Sequence, residues 1–365
     1  MQSESFLAHQ RSQVLDVLHR RGDLAPFGRL GGRVLVALDG TEHFCSQKLG
    51  CPGCLTRKRA NGRTESYHAM PGEPLGSTLA ATFVAPGHAM ALPLMPEFIA
   101  PQDGAEKQDC ERNAAKRWLA AHGGRLMDLR PVYLGDDLFA CQPVAEAIQA
   151  AGGDLLLTAK PSSHKALYDF MQGASLDERI VIQKAAGKRL THRYRWFTDA
   201  PLRDGQDAML VNPVGVTVTD AKGKVTYSSA FVTSLPITSE TVAEIVACAR
   251  ARWKVEPRGS PGIENESFNV LKSNGYHLEH NFGHGKQHLA MLFTALNLLA
   301  FAIHTACDCL EQLWIDARTA KRARTRFFEH LRTITAYLVF PDWATLTQTL
   351  IDAKPPPNIA AQITR

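Results

Sequence analysis

No run in this chain of 365 residues is apolar for long enough to cross a bilayer unbroken. The longest, residues 289–303, is interrupted by Thr294 and Asn297 and reads as a core helix. The opening residues, MQSESFLAHQRSQ, lack the apolar segment of a secretory signal, so a reducing cytosol is the expected setting and no membrane partner is implied. In that setting the eight cysteines are free thiols or metal ligands rather than disulfides. A strong charge of one sign is also missing: the formal net charge of +5 is a mild basic excess that names no polyanionic partner by itself. With 45% hydrophobic and 21% charged residues the chain is not disordered, and its length allows two or three domains with a sizeable core.

What is present is organised around residues 34–41, VLVALDGT. Five apolar residues, Val34 to Leu38, lead into Asp39 and Gly40, which predicts a strand covered on both faces with a carboxylate at its end. Asp39 either caps the following turn or, if buried and ionised, needs a cation beside it. An amphipathic helix over residues 12–21 precedes this strand, and a polar, cysteine-bearing segment, residues 43–68, follows it. Residues 78–84 and 90–93, joined by Pro86, Gly87 and His88, predict a hairpin. A helix over 106–122, a buried strand over 131–134 ending in Gly135, Asp136 and Asp137, a helix over 144–151 and a strand over 155–159 complete a β-α-β unit. Residues 162–237 alternate as strands do and predict an antiparallel insertion. Helical sequence resumes at 240–254 behind Ser239 and stops at Pro257.

This order puts the first and fourth strands side by side in a mixed sheet, with the hairpin on the far edge, so that Asp39 and Asp136 face one cleft at the carboxyl ends. A third acid on the helix after the insertion would complete a cluster suited to two divalent cations about 3.5–4 Å apart. Hard oxygen ligands select Mg²⁺, with Mn²⁺ as a substitute.

The stretches ALDGTEHF, PEFIAPQDGAEKQDCERNAAKRWL, LGDDLF, KPSSHKALY and IENESFNVLKSNGYHLEHNFGHGKQHL resemble the DDE transposases of bacterial insertion sequences. Within them the likeness is to the group with a β-rich insertion before the final glutamate and a Tyr-Arg-Glu-Lys signature around it, and it runs from about Leu30 to Cys307. The resemblance implies an RNase H-like α/β fold, a mixed sheet flanked by helices with an antiparallel β-rich insertion and a helical C-terminal region. It also implies an endonuclease that cuts DNA at transposon ends and joins the freed 3′-hydroxyl to target DNA, acting as a homodimer on paired ends of double-stranded DNA in the bacterial cytoplasm, associated with the nucleoid. Asp39 matches the first acid, Asp136 the second, Arg252 the signature arginine and Lys272 its lysine; Ala249 stands where the tyrosine belongs.

The third acid has two candidates. Glu264 keeps the downstream context with Phe268 and Lys272 and is preferred, whereas Glu256 keeps the four-residue helical spacing from Arg252 but is followed by Pro257. The extra residues between Arg252 and Glu264, and an N-terminal region that looks truncated against the group, define the alternative: a catalytically impaired transposase remnant that only binds DNA. Further candidates for DNA contact are Lys107, Arg112, Lys116, Arg117, Lys160, His164, Arg193 and Arg195. The basic C-terminal run adds Arg318, Lys321, Arg322, Arg324 and Arg326, with Arg322 and Arg324 assigned to phosphate, although such a run is also read as a solvated helix face. Trp196 either stacks on an unpaired base or sits in the sheet core. Cys51, Cys54 and His68, with Cys45 or Cys110 as a fourth ligand, have the spacing of a structural Zn²⁺ site. The histidines 277, 280, 284 and 288 fit a helix entrance as well as a metal site. The resulting divisions are 1–30, an N-terminal helical remnant; 31–160, the first part of the RNase H-like core; 161–237, the insertion; 238–307, the second part of the core; and 308–365, a basic helical region.

Overall fold

Val34 to Leu38 are each no more than 3% exposed, because both faces of their strand are covered. Even-numbered members pack with one cluster and odd-numbered members with another, as the two-residue repeat of a strand requires. The computed structural model describes residues 13–42, 55–58, 62, 64–67, 77–88, 90–99, 110–185, 188–252, 269–278 and 289–354.

Residues 13–21 form α1. The strands β1 (Gly28–Arg29), β2 (Arg33–Glu42), β3 (Leu55–Lys58), β4 (Thr64–Tyr67), β5 (Ser77–Val84) and β6 (Leu92–Phe98) follow. Next come α2 (Glu111–His122), β7 (Val132–Gly135), α3 (Gln142–Ala150), β8 (Asp154–Thr158) and α4 (Lys165–Phe170). The insertion supplies β9 (Asp177–Ala185), β10 (Lys188–Trp196), β11 (Ala200–Pro201), β12 (Leu210–Thr219) and β13 (Val225–Thr233). The remaining helices are α5 (Val242–Arg250), α6 (Asn269–Ser273), α7 (Leu289–Leu310), α8 (Gln312–Lys321), α9 (Arg324–Tyr337) and α10 (Trp343–Asp352).

The main sheet has the order β6-β5-β2-β7-β8-β13-β12-β10-β9. Its first five strands are the RNase H-like mixed sheet: β2, β7 and β8 run parallel, and the β5–β6 hairpin lies antiparallel on the far edge. One face carries α2 and α3 through Ala114, Trp118, Val144 and Ile148; the other carries α5, α6 and α7 through Ile245, Val246, Leu271 and Phe301. Strands buried between two helical layers read as unbroken apolar runs, which is why residues 34–38 do.

The insertion is antiparallel, but its strands extend the same sheet. β13 pairs with β8 in the register Phe231 with Thr158, Val232 with Leu157 and Thr233 with Leu156. The expected boundary at residue 161 is therefore spanned by backbone hydrogen bonds. A short helix, α4, also lies inside the stretch read as all strand. α7 crosses the other expected boundary, at 307, without a break, because its apolar residues continue on into Leu310. By length and composition its segment Leu292–Leu310 could cross a membrane. Here Leu298, Phe301 and Ala302 are buried in the two cores and Thr305 bonds Ala91 O of the strand layer. The last helices enclose a small core of Trp314, Ala317, Phe327, Leu346 and Leu350.

Candidate active site

β2 and β7 pair in parallel with Leu35 beside Val132, Val36 beside Tyr133 and Ala37 beside Leu134. Carried forward by two residues, the same register sets Asp39 beside Asp136, on strands about 4.8 Å apart. Asp136 thus stands just past the carboxyl end of β7, and Asp39 lies where the parallel pairing of β2 with β7 runs out, three residues before β2 itself ends at Glu42, near the edge where open α/β sheets bind ligands. Alternation along β2 turns Asp39 to the face covered by α5, with Leu35 and Ala37. Val132 and Leu134 of β7 pack on that same face, and Asp136 follows one residue beyond the strand's end.

Asp39 is 8% exposed and has its cation. Arg252, just past the end of α5 and equally buried, donates from a guanidinium nitrogen to Asp39 Oδ2 at 3.2 Å, while the Gly40 N–H bonds Oδ1 at 3.1 Å. Paired charges are what a buried carboxylate requires. Asp136 accepts from Leu138 N at 2.8 Å on Oδ1, and its Oδ2 has no partner among the described residues. Lys272 lies in α6, on the helical layer that covers this face. The two candidates for the third acid, Glu264 and Glu256, lie outside the described residues, as do Lys107 and His280, His284 and His288.

Asp137 has a different environment. Its carboxylate accepts from Lys160 N and Ser163 Oγ, both at 2.6 Å, and Oδ1 lies 3.4 Å from His164 Nδ1. The acid next to Asp136 is thus engaged with the loop after β8. On the opposite face of β2, Gly40 meets Glu111 at the start of α2: a Cβ on Gly40 would fall inside the Glu111 carboxylate. Neither contact was read from the sequence. The only signals were the Gly that follows Asp39 and the Lys-Pro-Ser-Ser-His run, which says nothing of its partner.

Several expected DNA contacts are committed to the protein itself. His164 is buried, with Nε2 at 2.7 Å from Ala140 O. Arg117 bonds Glu97 at 2.7 Å, and Arg112 bonds Leu138 O at 2.6 Å. Arg324, expected to hold phosphate, lies 3.5 Å from Asp308 and stacks over Phe301, because Asp308 is a half-buried acid at the end of α7 that needs basic partners. Arg318 shares Asp308, whereas Arg322 and Arg326 are exposed. Trp196 takes the core alternative, 6% exposed. Its strand borders a groove of about 430 Å³ that also gathers Lys160, Tyr168, Arg193, Arg195 and Phe197.

Of the expected zinc ligands, Cys45, Cys51, Cys54 and His68 lie outside the described residues. Cys110 is an exposed thiol at the start of α2. Cys110, Cys141, Cys248, Cys307 and Cys309 form no disulfide. No protein-family model matches the chain, and comparison with curated proteins finds no match either.

Proposed function

We propose that the chain is a DNA transposase that cleaves the phosphodiester at transposon ends and transfers the strand to target DNA, using Asp39 and Asp136 with Glu264 as the third acid and Glu256 as its alternative. The observation that carries this reading is the register of β2 against β7, which sets two acids side by side where the parallel pairing runs out, with an arginine on the first. The donor set fits hard divalent cations: one carboxylate is buried, and the other keeps an oxygen without a partner among the described residues. Asp39, Asp136 and the third acid would hold the ions. Two bound Mg²⁺ ions, or Mn²⁺ in their place, supply activation of the attacking oxygen and stabilisation of the leaving one.

Arg252 neutralises Asp39 and stands on the face where the scissile phosphate would lie, so it orients both the acid and the phosphate oxygens. Lys272 serves as a second phosphate contact. Lys160, Arg193 and Arg195 line a groove on the α4 side of the extended sheet, on the face opposite Asp39, where Glu178 lies beside both arginines; a polyanionic strand would meet it only as a secondary contact. Paired transposon ends call for a homodimer, and a cytoplasmic setting suits a DNA substrate. A structural Zn²⁺ on Cys51, Cys54, His68 and Cys45 or Cys110 belongs to the same reading.

Metal-dependent nicking of DNA that carries the flanking ends of the chain's own locus tests it. Asp39→Asn and Asp136→Asn abolish nicking, and of Glu264→Gln and Glu256→Gln only the first does. Loss of nicking through Glu256→Gln alone reverses the assignment of the third acid. Full nicking by Asp39→Asn removes the mechanism. DNA binding without any metal-dependent nicking favours the remnant, for which the extra residues between Arg252 and Glu264 already speak.

A further inference from the structure

Resting on the reading of Asp136 as a catalytic acid, we infer that Asp137, Ser163 and His164 form the device that positions it. Residues 136–140 form a tight loop after β7 whose own bonds are local: Phe139 N to Asp136 O at 3.1 Å, Cys141 N to Phe139 O at 2.8 Å and Leu138 N to Asp136 Oδ1 at 2.8 Å. These bonds fold the loop; its middle is fastened from outside by Arg112 of α2, which bonds Leu138 O at 2.6 Å, and by the buried Phe139. The residues after β8 grip it at both ends. At the front, the Asp137 carboxylate accepts from Lys160 N and Ser163 Oγ at 2.6 Å each. At the back, His164 Nε2 donates to Ala140 O at 2.7 Å, since a carbonyl can only accept.

The grip has a firm base. Ser163 N and His164 N both bond Lys160 O at 3.1 Å, the Tyr168 hydroxyl bonds Ala159 O at 2.8 Å, and Leu167 of α4 is fully buried. Donors converging on Asp137 use its lone pairs within the protein. Its neighbour Asp136 keeps Oδ2 without a partner among the described residues. The two consecutive acids thus divide the work: Asp137 sets the loop, and Asp136 faces the cleft. Catalytic groups need their geometry held to a fraction of an ångström, because a misplacement of about 1 Å can reduce the rate about a hundredfold.

The test uses the full chain with Asp137→Asn, His164→Gln and the milder Ser163→Ala, the last chosen because it removes one hydroxyl and leaves the core intact. Three quantities are read: amide exchange at Leu138, Mn²⁺ affinity by electron paramagnetic resonance without DNA, and the Mn²⁺ dependence of nicking. Each variant speeds Leu138 exchange and weakens Mn²⁺ binding, by about tenfold for Asp137→Asn and His164→Gln, and slows nicking even at saturating Mn²⁺, by about ten- to a hundredfold for those two, as expected when the acid is held off its position. Unchanged exchange and unchanged Mn²⁺ affinity in all three overturn the inference. So does a complete loss of Mn²⁺ binding in Asp137→Asn with Leu138 exchange unchanged, which would make Asp137 a ligand. If the unaltered chain fails to nick DNA, the transposase reading falls, and Leu138 exchange still decides whether this network holds the loop.

Discussion

Gly40 shows how one missing side chain shapes the end of β2. The Glu111 carboxylate lies where a Cβ would stand, with Oε2 2.9 Å from that position, so any side chain at residue 40 must push that carboxylate aside. Gly40→Ala is expected to lower stability by about 1 kcal/mol, the low end of the overpacking range because the displaced atoms end a flexible side chain, and the double variant with Glu111→Ala to regain most of it, both read by urea denaturation. A double variant no more stable than Gly40→Ala alone shows that the glycine serves something other than this close approach. Asp39 was legible from its own neighbours, because an apolar run that ends in an acid is a local pattern. Glu111 was not, since its contact depends on where α2 begins after a distant hairpin. Arg252 falls between these cases: its place near the end of a helix could be read, but its bond to Asp39 exists only once α5 lies across β2.

The helices and strands around the acids were placed closely by periodicity; β7, α3 and β8 begin and end within two residues of the patterns that announced them. The start of α5 was misjudged. Thr238, rather than Ser239, bonds Thr241 N through its hydroxyl, and the helix begins at Val242. The C-terminal helices differ more from expectation, because their arginines were read as a surface while Asp308 draws two of them inward. There the Tyr276 hydroxyl lies 2.7 Å from His304 Nδ1 and Trp314 Nε1 donates to Asp308 at 2.7 Å, tying α7 and α8 to the segment after α6. Burial, followed by the Arg324 guanidinium, pulls the His304 pKa down to about 4, with Asp308 opposing and Arg318 assisting. Burial also pushes Tyr276 up to about 12, so the phenol keeps its proton beside the imidazole. Because the unfolded chain takes up a proton on His304 from about pH 6.5 downward and the folded chain does not until about 4, stability falls as the pH drops through that window. His304→Phe should flatten the slope of unfolding free energy against pH between those values. Two parallel curves would show that this histidine does not contribute to the slope.

Across the whole molecule, one sheet joins what the sequence divided. Antiparallel alternation after residue 161 was visible, but alternation cannot reveal which strand the last one pairs with; that depends on β13 returning to β8. The consequence is mechanical as well as topological. β8 supplies backbone pairing to β7 on one side and to β13 on the other, so the groove with Arg193 and Arg195 is held in fixed relation to the ends of β2 and β7. It also means that the insertion and the RNase H-like strands lose their hydrogen-bond partners together. Heating should give one transition, with the calorimetric enthalpy equal to the van't Hoff value. Val232 is fully buried at this seam, opposite Leu157 on one side and Pro213 on the other. Val232→Ala removes two buried carbons, worth about 2–3 kcal/mol with the cavity included, and should lower that single transition as a whole. Two transitions, with only the one assigned to the insertion moved by Val232→Ala, would mean that the seam joins two independent units and that the groove is free to shift against the acids.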